Sequence, residues 1–443
     1  MNNNINIQTF ILKQVKDIKT YGVKEFYRKF LLFVKILLNI PVNIVALLLC
    51  VTIRLISPII IIRIATVPSI NYGNFARDLA IYCCKVKLKI EQPKKKYIDL
   101  FYIVPRDKIH NRQLAKMWKR KLNFYPGHLL DPISRMGKLL PNWETHTIGL
   151  FSDKPELDVD NLVERHQPLN FTTDEEIYGK KLLSKFGLKD NDKFICLAVR
   201  DSKYQLKKMP ARYHDWSYHD YRNYDIDHFV LAAEELTKRG YFVFRMGVVA
   251  NKPMKSDNPK IIDYVNTKLR SDFMDVYLGA KCTFCISTGL GFDEVPYIFR
   301  RPIALLSVPL GDLRSFSEKF LLLSRPHILE KEKRKLSLSE IFSHGVAFAY
   351  DTKIYKQKGI ELLDCTPNEI KDFAIEMAES LENKKKFNSE EEELQKNFKD
   401  LFAFNIQRPE YLKEIKQPFH KFHGQVRARY SVKFLKENRD WLR

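Results

Sequence analysis

The chain of 443 residues is 45% hydrophobic, 12% aromatic and 29% charged. These values exclude a disordered chain, a small disulfide-stapled domain and a protein that crosses a membrane many times, and the length predicts two large domains with appendages. With 75 Lys and Arg against 53 Asp and Glu, the formal net charge is +22. Such a charge requires an anionic partner, surface or substrate, and charge alone does not choose among them.

Seven cysteines are scattered over the chain without the spacing of a secreted scaffold. An odd number in this distribution predicts a reducing compartment. Cys282 and Cys285 lie in an apolar, strand-like run, where residues three apart point to opposite faces. We therefore interpret them as buried structural cysteines rather than metal ligands.

The N-terminal segment is nearly all aliphatic from Leu31 to Ile53, and a second apolar run spans Leu55 to Ile62. The first run is just long enough to cross a bilayer. It could be a single span, a monotopic hairpin bent near Pro41 or Pro58, or a hydrophobic helix buried against the soluble domains. Lys and Arg at both ends favour the hairpin, because a span would place positive charges on both sides. We assign residues 1–63 to a hydrophobic, membrane-associating segment.

A basic stretch follows this segment directly. Residues 85–121 contain thirteen Lys and Arg against three acidic residues, a net charge of +10. Basic side chains near an anionic leaflet strengthen binding to a membrane surface, which this stretch predicts. A solvated protein face would have the same composition.

Residues 64–172 are predicted to form a first Rossmann-like domain. Strands at Ile64–Val67 and Tyr97–Val104 alternate with helices near Phe75–Tyr82 and His110–Lys121. The stretch from Pro126 to Asn170 lacks periodicity and is predicted to be rich in loops.

Residues 173–383 are predicted to form a second Rossmann-like domain. Five apolar runs alternate with helical patterns and predict a doubly wound parallel sheet: Phe194–Val199, Tyr241–Met246, Ile261–Val265, Thr283–Ser287 and Ile303–Val308. Asp227 is predicted to cap the helix before Gly240, and Thr366 begins another helix. Residues 384–443 are predicted to be a charged connector, Lys384–Glu393, and a tail with an amphipathic helix near Ser431–Leu442.

Polar residues concentrate where the strands of this second domain end. Ser287-Thr-Gly-Leu-Gly291 follows one strand and precedes a helix with Asp293 and Glu294 in its first turn. Glycine amides there suit a phosphate, although strand-to-helix turns need glycine for steric reasons as well. Arg200 with Asp201 and Arg245 end two other strands. Because the carboxyl ends of parallel strands meet at one edge, these arginines and the glycine turn suit a diphosphate.

A further polar segment, Tyr218-His-Asp-Tyr-Arg-Asn223, precedes the next helix. Together with the strand ends, it makes the chain resemble a bacterial glycosyltransferase family of surface-polysaccharide gene clusters, with the GT-B fold. The resemblance covers most of the chain from about residue 64, and its matching pieces are Ala198–Asp201, His219–Asn223, Phe244–Gly247, Ile262–Tyr264, Cys282–Cys285, Gly289, Gly291, Pro296, the helix from Thr366 and the closing Phe434–Leu442.

The resemblance implies an α/β protein with two Rossmann-like domains that transfers a sugar from a nucleotide-sugar donor to a surface-glycan or lipid-linked acceptor. Polysaccharide or lipopolysaccharide synthesis would be its setting, and the cytoplasmic face of the inner membrane its place, as a peripheral or monotopic protein. No metal and no cofactor are expected, and nucleic acid is not an expected partner. A membrane-bound lipid-modifying transferase, or a basic protein that binds membranes or nucleic acid without catalysis, are the alternatives.

The resemblance implies donor binding by the second domain, an acceptor near the first and an active site between them. The predicted donor-binding residues are Arg200, Asp201, Arg222, Arg245, Gly289, Gly291 and Glu294. The family tends to show a Gly-His pair where this chain reads Tyr72-Gly73-Asn74. If that His is the catalytic base in the family, this chain requires a different base. Asp220 is the first candidate to take the acceptor's proton and His219 the second. The alternative for Asp220 is an ion pair with Arg222 that braces the helix.

Overall fold

The computed structural model describes residues 7–105, 108–150, 159–208, 215–306, 310, 317–382, 386–407 and 426–443. The α-helices within them are α1 (Ile7–Ile56), α2 (Tyr72–Lys87), α3 (Arg112–Lys121), α4 (Gly127–Gly137), α5 (Val159–Arg165), α6 (Thr173–Ser184), α7 (Lys203–Lys208), α8 (Val230–Lys238), α9 (Asp272–Lys281), α10 (Glu294–Ile298), α11 (Leu338–Ser343), α12 (Thr352–Gln357), α13 (Pro367–Leu381), α14 (Ser389–Asn405) and α15 (Val432–Glu437). The strands are β1 (Ile61–Thr66), β2 (Tyr97–Tyr102), β3 (Lys193–Ala198), β4 (Tyr241–Arg245), β5 (Ile261–Ile262), β6 (Cys285–Ser287), β7 (Ile303–Leu306), β8 (Phe320–Leu323), β9 (His327–Leu329), β10 (Arg334–Lys335), β11 (Ile360–Leu362) and β12 (Arg429–Tyr430). Short 3-10 helices include Trp143–His146, Ser217–Arg222 and Ile226–Phe229.

The chain forms two compact units whose segments interleave along the sequence. The first unit comprises Met1–Thr66, Pro93–Arg106 and Asn123–Ile148, and the second comprises Val67–Gln92, Asp107–Leu122 and Gly149–Arg443. The domain ranges predicted from the sequence, with boundaries at 63, 172 and 383, stay predictions, and the boundary between 383 and 384 lies outside the described residues.

The first unit is built around a parallel pair of strands. β1 and β2 pair in register from Ile61 with Tyr97 to Thr66 with Tyr102. One face of α1 joins the core of this unit, through Ala46, Cys50 and Ile53, whose spacing of four and three residues places them on one side of the helix. The described part of this unit has a sheet of two strands. The first Rossmann-like domain, predicted for residues 64–172, is therefore not confirmed.

The N-terminal helix α1 continues through Pro41 and departs from helical geometry at Gly22. Of the two positions expected for a hairpin bend, Pro41 is therefore wrong, whereas Pro58 lies in the turn that follows Ile56. A proline removes one backbone hydrogen bond and need not end a long helix. The chain turns after Ile56 instead, and the stretch Leu37–Ile56 is long and apolar enough to cross a membrane, with 17% of it buried.

The second unit contains a sheet of seven parallel strands in the order β12-β8-β7-β6-β3-β4-β5. β4, β7 and β8 are buried along their whole length, as expected for strands covered by helices on both faces. Helices α7 and α8 lie between β3 and β4, α9 lies between β5 and β6, and α10 lies between β6 and β7, so the predicted parallel sheet with intervening helices is confirmed for these strands. Gly240, with φ +92°, ends α8 in the left-handed conformation and leads directly into β4.

The local sequence signals fail at three places. The predicted loops after Pro126 contain the helix α4, which has Pro132 inside it. The predicted charged connector is part helix, because Asn388 caps α14 and the glutamates that follow occupy its first turn. Residues 384 and 385 of that connector lie outside the described residues. The cap predicted at Asp227 is supplied by Asp225, whose side chain accepts a hydrogen bond from the Asp227 amide.

All seven cysteines are free and buried, among them Cys282 and Cys285, for which burial was predicted. Burial raises the pKa of the Cys83 and Cys84 thiols to about 12, which keeps them protonated. Part of the basic stretch 85–121 is neutralised by ion pairs, because Lys85 contacts Glu91 at 2.8 Å and Arg120 contacts Glu175 at 2.7 Å. The Arg120 guanidinium and the other hydrogen bonds to Glu175 hold the pKa of that carboxyl near 2 against the opposing effect of burial.

Candidate active site

A cavity of about 660 Å³ opens at the carboxyl ends of the parallel strands in the second unit, and its lining residues all belong to that unit. The strand order reverses between β3 and β6, since β4 and β5 follow on one side of β3 and β7 and β8 on the other side of β6. In doubly wound sheets, ligands bind outside the carboxyl ends of the strands at such a reversal. The cavity is also of the size that small-molecule sites have.

Arg200 and Asp201 follow β3 and line the cavity, as predicted. The Arg200 amide donates a 2.9 Å hydrogen bond to Thr288 Oγ1, which ties the turn after β3 to the turn after β6. Asp201 accepts hydrogen bonds of 2.9 Å from the amides of Lys203 and Asn251. Asp201 therefore fixes the backbone of two loops at the cavity.

Arg245, at the end of β4, is 3% exposed and also lines the cavity. Its Nη1 donates to the Lys252 carbonyl at 2.7 Å and to Asp263 Oδ1 at 3.2 Å, and its Nη2 lies 4.0 Å from Asp201 Oδ2. These contacts brace the loop that follows Gly247. Two carboxylates already balance this guanidinium charge, so binding of a phosphate by Arg245 stays a prediction.

The glycine turn after β6 is organised by hydrogen bonds within itself. The Gly289 amide donates to Ser287 Oγ at 3.1 Å, and the Leu290 amide donates to Asp293 Oδ2 at 3.1 Å. These two amides are therefore occupied by the turn, contrary to the expectation that they approach a phosphate. Gly289 has φ +76°, the left-handed region that favours glycine.

Gly291 and Glu294 connect this turn to helix α2. A Cβ at Gly291 would lie 3.0 Å from the Gly73 amide nitrogen, so glycine permits the close approach of the two backbones. Glu294 Oε1 lies 3.0 Å from Arg77 Nη1. Arg77 was missed from the sequence because it sits within a helix, 217 residues from its partner and without a motif.

The segment Tyr218–Asn223 forms a 3-10 helix rather than a loop, and it brings His219 and Arg222 to the cavity. Arg222 donates a hydrogen bond to the Gly289 carbonyl. The His219 ring lies 4.0 Å from that of Tyr218 and is nearly parallel to that of Trp216, with 14° between the planes. Trp216 and Tyr218 also line the cavity and give it an aromatic wall.

Asp220, the first candidate for the catalytic base, does not line the cavity. It is exposed and accepts a 3.0 Å hydrogen bond from Asn223 Nδ2. The reason is the helix period, because residues three apart share one side of a 3-10 helix. His219 and Arg222 therefore point together, and Asp220 lies on another side. The predicted alternative, an ion pair of Asp220 with Arg222, is not formed.

The buried side chain of Arg325 stabilises the 3-10 helix Ser217–Arg222 through hydrogen bonds. Arg325 is 4% exposed, donates to the Tyr221 carbonyl at 2.7 Å, and also contacts the Asn223 carbonyl and Asp364. Its guanidinium lies 3.8 Å from the centre of the Tyr224 ring. Sequence analysis missed Arg325 because it follows β8 without any motif.

Three aromatic side chains that sequence analysis also missed meet on another wall of the cavity: Tyr72, His110 and Tyr204. His110 Nε2 lies 2.8 Å from the Tyr204 hydroxyl, and the His110 ring stacks on Tyr72 with centroids 4.8 Å apart. Burial raises the pKa of both tyrosines, most strongly that of Tyr72, where Asp275 adds to the effect. Each residue stands alone in its local sequence, so no pattern could have assembled them.

Asp275, in the first turn of α9, is a buried carboxylate in the wall of the cavity. It accepts hydrogen bonds from Arg270 at 2.7 Å and from Tyr264 at 2.9 Å. Burial raises its pKa to about 6, because the loss of water disfavours the charged form more than these two partners favour it. The ion pair of Asp275 with the half-buried Arg270 joins the start of α9 to the residues that precede it.

No protein-family model matches the chain, and no curated protein matches it. Among solved structures, a glycosyl transferase of family 9 from Veillonella parvula is similar over 73% of this chain and 98% of its own, with 12% identity and a TM-score of 0.42. The ADP-heptose lipopolysaccharide heptosyltransferase II of E. coli is similar over 72% of this chain and 100% of its own, with 13% identity and a TM-score of 0.39. These scores are low, and the likeness assigns neither an activity nor a substrate to this chain.

Proposed function

We propose that the protein is a glycosyltransferase that moves a sugar from a nucleotide-sugar donor to a glycan or lipid-linked acceptor. The observation that supports this most is the cavity of about 660 Å³ at the point where the order of the parallel strands reverses, with Arg200 and Arg222 in its wall. A nucleotide at the carboxyl ends of such a sheet is the general case for this architecture.

The chemistry of the cavity suits a diphosphate leaving group. Negative charge on the diphosphate increases as its bond to the sugar breaks. Arginine side chains stabilise this charge through paired hydrogen bonds. Arg200 and Arg222 lie close to each other in the cavity wall. The Arg200 amide contacts Thr288 and the Arg222 side chain contacts Gly289, which is the next residue along the chain. Arg245 and Asp201 hold the surrounding loops, and the arginines take the charge without a metal or a resident cofactor.

The aromatic wall suits the nucleoside. Trp216 and Tyr218 stack on each other with centroids 6.3 Å apart and planes 20° apart, beside the segment that carries Arg222. Flat aromatic surfaces bind nucleobases by stacking whichever base is present. The base and the phosphates are therefore bound by Trp216 and by residues of the short helix that follows it, Ser217–Arg222.

Arg222→Ala should weaken binding of the nucleotide sugar by about 1.5–3 kcal/mol, or roughly 10- to 150-fold in Kd, the value of a hydrogen bond to a charged group. Titration calorimetry with UDP-glucose, UDP-N-acetylglucosamine, GDP-mannose, CMP-sialic acid and dTDP-rhamnose measures it, first on the wild-type protein. Arg334→Ala, at an exposed arginine outside the cavity, is the control and should bind as the wild type does.

Unchanged affinity in a folded Arg222→Ala protein would contradict this placement of the phosphates. If the wild-type protein binds none of the five nucleotide sugars but binds RNA or DNA with a steep dependence on salt, the net charge of +22 serves nucleic acid instead and the proposed function is wrong.

We propose further that α1 attaches the protein to the cytoplasmic face of an anionic membrane, as a peripheral or monotopic anchor. One side of the helix belongs to the core of the first unit, whereas Leu38, Leu48 and Leu55 are between 62% and 74% exposed. Exposed leucines in a row on a long helix are typical of a surface that lipid covers.

Leu48→Gln should weaken binding to vesicles of phosphatidylglycerol and phosphatidylethanolamine by about 1.5–3 kcal/mol, the transfer free energy of a leucine side chain. Cosedimentation measures the bound fraction. Ile177→Gln is a matched control, since Leu48 and Ile177 are both 62% exposed and Ile177 lies in the second unit. Equal binding of the two variants would contradict the anchor. Removing residues 1–63 is a poorer test, because it deletes Ala46, Cys50 and Ile53 from the core.

A further inference from the structure

We infer that Tyr72, His110 and Tyr204 form the subsite for the acceptor's hydroxyl group, and that Tyr204 and His110 together take its proton. This inference rests on the proposed transfer reaction and assigns its base. It places the acceptor on the wall of the cavity formed by helices α2 and α7 and the loop before α3.

The contact that carries the proton is the one between His110 Nε2 and the Tyr204 hydroxyl, at 2.8 Å. A hydroxyl at this distance from an imidazole nitrogen is the arrangement that general base catalysis requires. Because the phenol already occupies the hydrogen-bonding position at Nε2, an acceptor hydroxyl reaches the imidazole by way of Tyr204. The Tyr204 oxygen accepts the new hydrogen bond while its own hydrogen is donated to Nε2.

The environment of His110 favours its protonated form as the reaction proceeds. Its ring stacks on the face of Tyr72, with 16° between the planes and 4.8 Å between the centroids. A cation over an aromatic face is stabilised by the negative charge of that face. The imidazolium that forms during transfer is therefore stabilised by the face of the Tyr72 ring.

The Tyr72 hydroxyl supplies an independent sign of a ligand. Its oxygen is shielded from solvent and makes no hydrogen bond with any residue that the structure describes. Buried hydroxyl groups are nearly always hydrogen-bonded, and an acceptor with several hydroxyl groups can supply the missing partner. A saccharide is the class of acceptor that meets this requirement.

The acidic side chains of the cavity are less suited to act as the base, because each of them is hydrogen-bonded to cationic or backbone groups. They are Asp201, Asp275, Asp293 and Glu294. These contacts occupy carboxylate oxygens that would otherwise accept the proton, and at Asp275 the side chains of Tyr264 and Arg270 occupy both oxygens. His219, the other histidine of the cavity, lies in the aromatic wall that we assign to the nucleoside.

The acceptor oxygen forms a bond to the anomeric carbon of the donor sugar, and the bond from that carbon to the phosphate oxygen breaks. Its electron pair leaves on the nucleoside diphosphate, or on CMP when CMP-sialic acid is the donor. The acceptor's proton passes to Tyr204 as the proton of Tyr204 passes to His110 Nε2. When water replaces the acceptor, the same step hydrolyses the donor, which makes the reaction measurable without the natural acceptor.

The test measures nucleotide release from the five nucleotide sugars named above and, by calorimetry, their affinities. His110→Gln and Tyr204→Phe should each lower turnover by about 100-fold or more, the range for loss of a general base, with donor Kd within about threefold of the wild type. Tyr72→Phe, which keeps the stacked ring, should lower turnover by about tenfold at most. His128→Gln, at an exposed histidine outside the cavity, is the control.

Chemical rescue distinguishes a role of His110 as the base from a purely structural role. In His110→Ala, added imidazole should restore part of the turnover, because it can occupy the vacated position and accept the proton of Tyr204. Three outcomes overturn the inference: turnover of His110→Gln within threefold of the wild type, loss of donor affinity equal to the loss of turnover, or loss of turnover in His219→Gln with His110→Gln unaffected. If the wild-type protein neither binds nor cleaves any of the five donors, the proposed function itself fails and this inference fails with it.

Discussion

Arg63→Met should destabilise the first unit by about 3–5 kcal/mol, the cost of leaving one partner of a buried ion pair alone. Arg63 in β1 and Asp99 in β2 are direct neighbours across the parallel pair, and each is 7% exposed. Nε and Nη2 of the arginine lie 2.7 Å from the two carboxylate oxygens, so the contact is bidentate. Removal of the arginine leaves the Asp99 charge buried without its main partner.

Urea unfolding of the full chain, followed by the fluorescence of Trp143 in a protein whose other tryptophans are replaced by phenylalanine, measures this loss. The double variant Arg63→Met with Asp99→Leu should recover most of the stability, since a hydrophobic pair of similar volume often replaces a buried ion pair at little cost. Arg135→Met, at a half-exposed arginine paired with Asp131 four residues away, is the control and should cost about 0.3–0.5 kcal/mol. A loss below about 1 kcal/mol for Arg63→Met would show that the pair does not stabilise the unit.

The same arginine shows where sequence analysis fails. Arg63 follows the apolar N-terminal segment, and its charge favoured a membrane-associated hairpin with positive charges at both ends. Its partner, Asp99, is 36 residues away, and nothing in the local pattern indicates that the two side chains meet. Charge counts along a chain cannot separate an exposed cation from a buried ion pair, because burial depends on the pairing of strands distant in sequence.

Features with a local cause were predicted correctly. The apolar runs at β3, β4 and β7 lie within two residues of the predicted bounds, because a strand covered on both faces needs an uninterrupted apolar sequence. The capping box at Thr366 forms as predicted, with the Glu369 amide donating to the Thr366 hydroxyl. Strand ends also placed Arg200 and Arg245 at the cavity, since parallel strands bring their carboxyl ends to one edge.

The orientation of side chains within the site could not be predicted in the same way. Asp220 was the preferred base on the assumption of a loop, whereas a 3-10 helix brings residues 219 and 222 to the cavity and leaves residue 220 outside it. The glycine turn was assigned to a phosphate, whereas Ser287 and Asp293 accept hydrogen bonds from two of its amides. Tyr72, His110 and Tyr204 come from three separate segments, and their meeting is a property of the fold.

Arg325→Met should lower the free energy of unfolding of the second unit by about 3–5 kcal/mol, because it leaves Asp364 and two backbone carbonyls without their donor. The arginine is 4% exposed, and it joins the end of β8 to the segment that carries His219 and Arg222. Thr352 makes a second connection, since its hydroxyl accepts a hydrogen bond from the Tyr221 amide at 3.0 Å and donates one to the Tyr218 carbonyl at 3.1 Å.

The effect on function should follow from the same contacts. In Arg325→Met, the Tyr221 and Asn223 carbonyls lose their hydrogen bonds to Arg325, so the 3-10 helix is less firmly positioned. Arg222 then no longer contacts the phosphates in a single orientation. Binding of the nucleotide sugar should weaken by about tenfold at a temperature where the variant is still folded, as expected when a hydrogen bond to a charged group is only partly lost. Arg325→Lys keeps the charge but has a single donor group in place of the planar fork, so it should recover part of the stability and little of the affinity.

Denaturant unfolding and calorimetry with the donor that the wild-type protein binds best give the two quantities separately. Arg334→Met, at an exposed arginine paired with Glu332 and Glu340, should change neither by more than about 0.5 kcal/mol. If Arg325→Met unfolds like the wild-type protein, the contacts of Arg325 do not stabilise the unit. If it is destabilised but binds the donor with unchanged affinity, the segment Ser217–Arg222 does not depend on Arg325 for its position, and the donor's phosphates are bound elsewhere in the cavity.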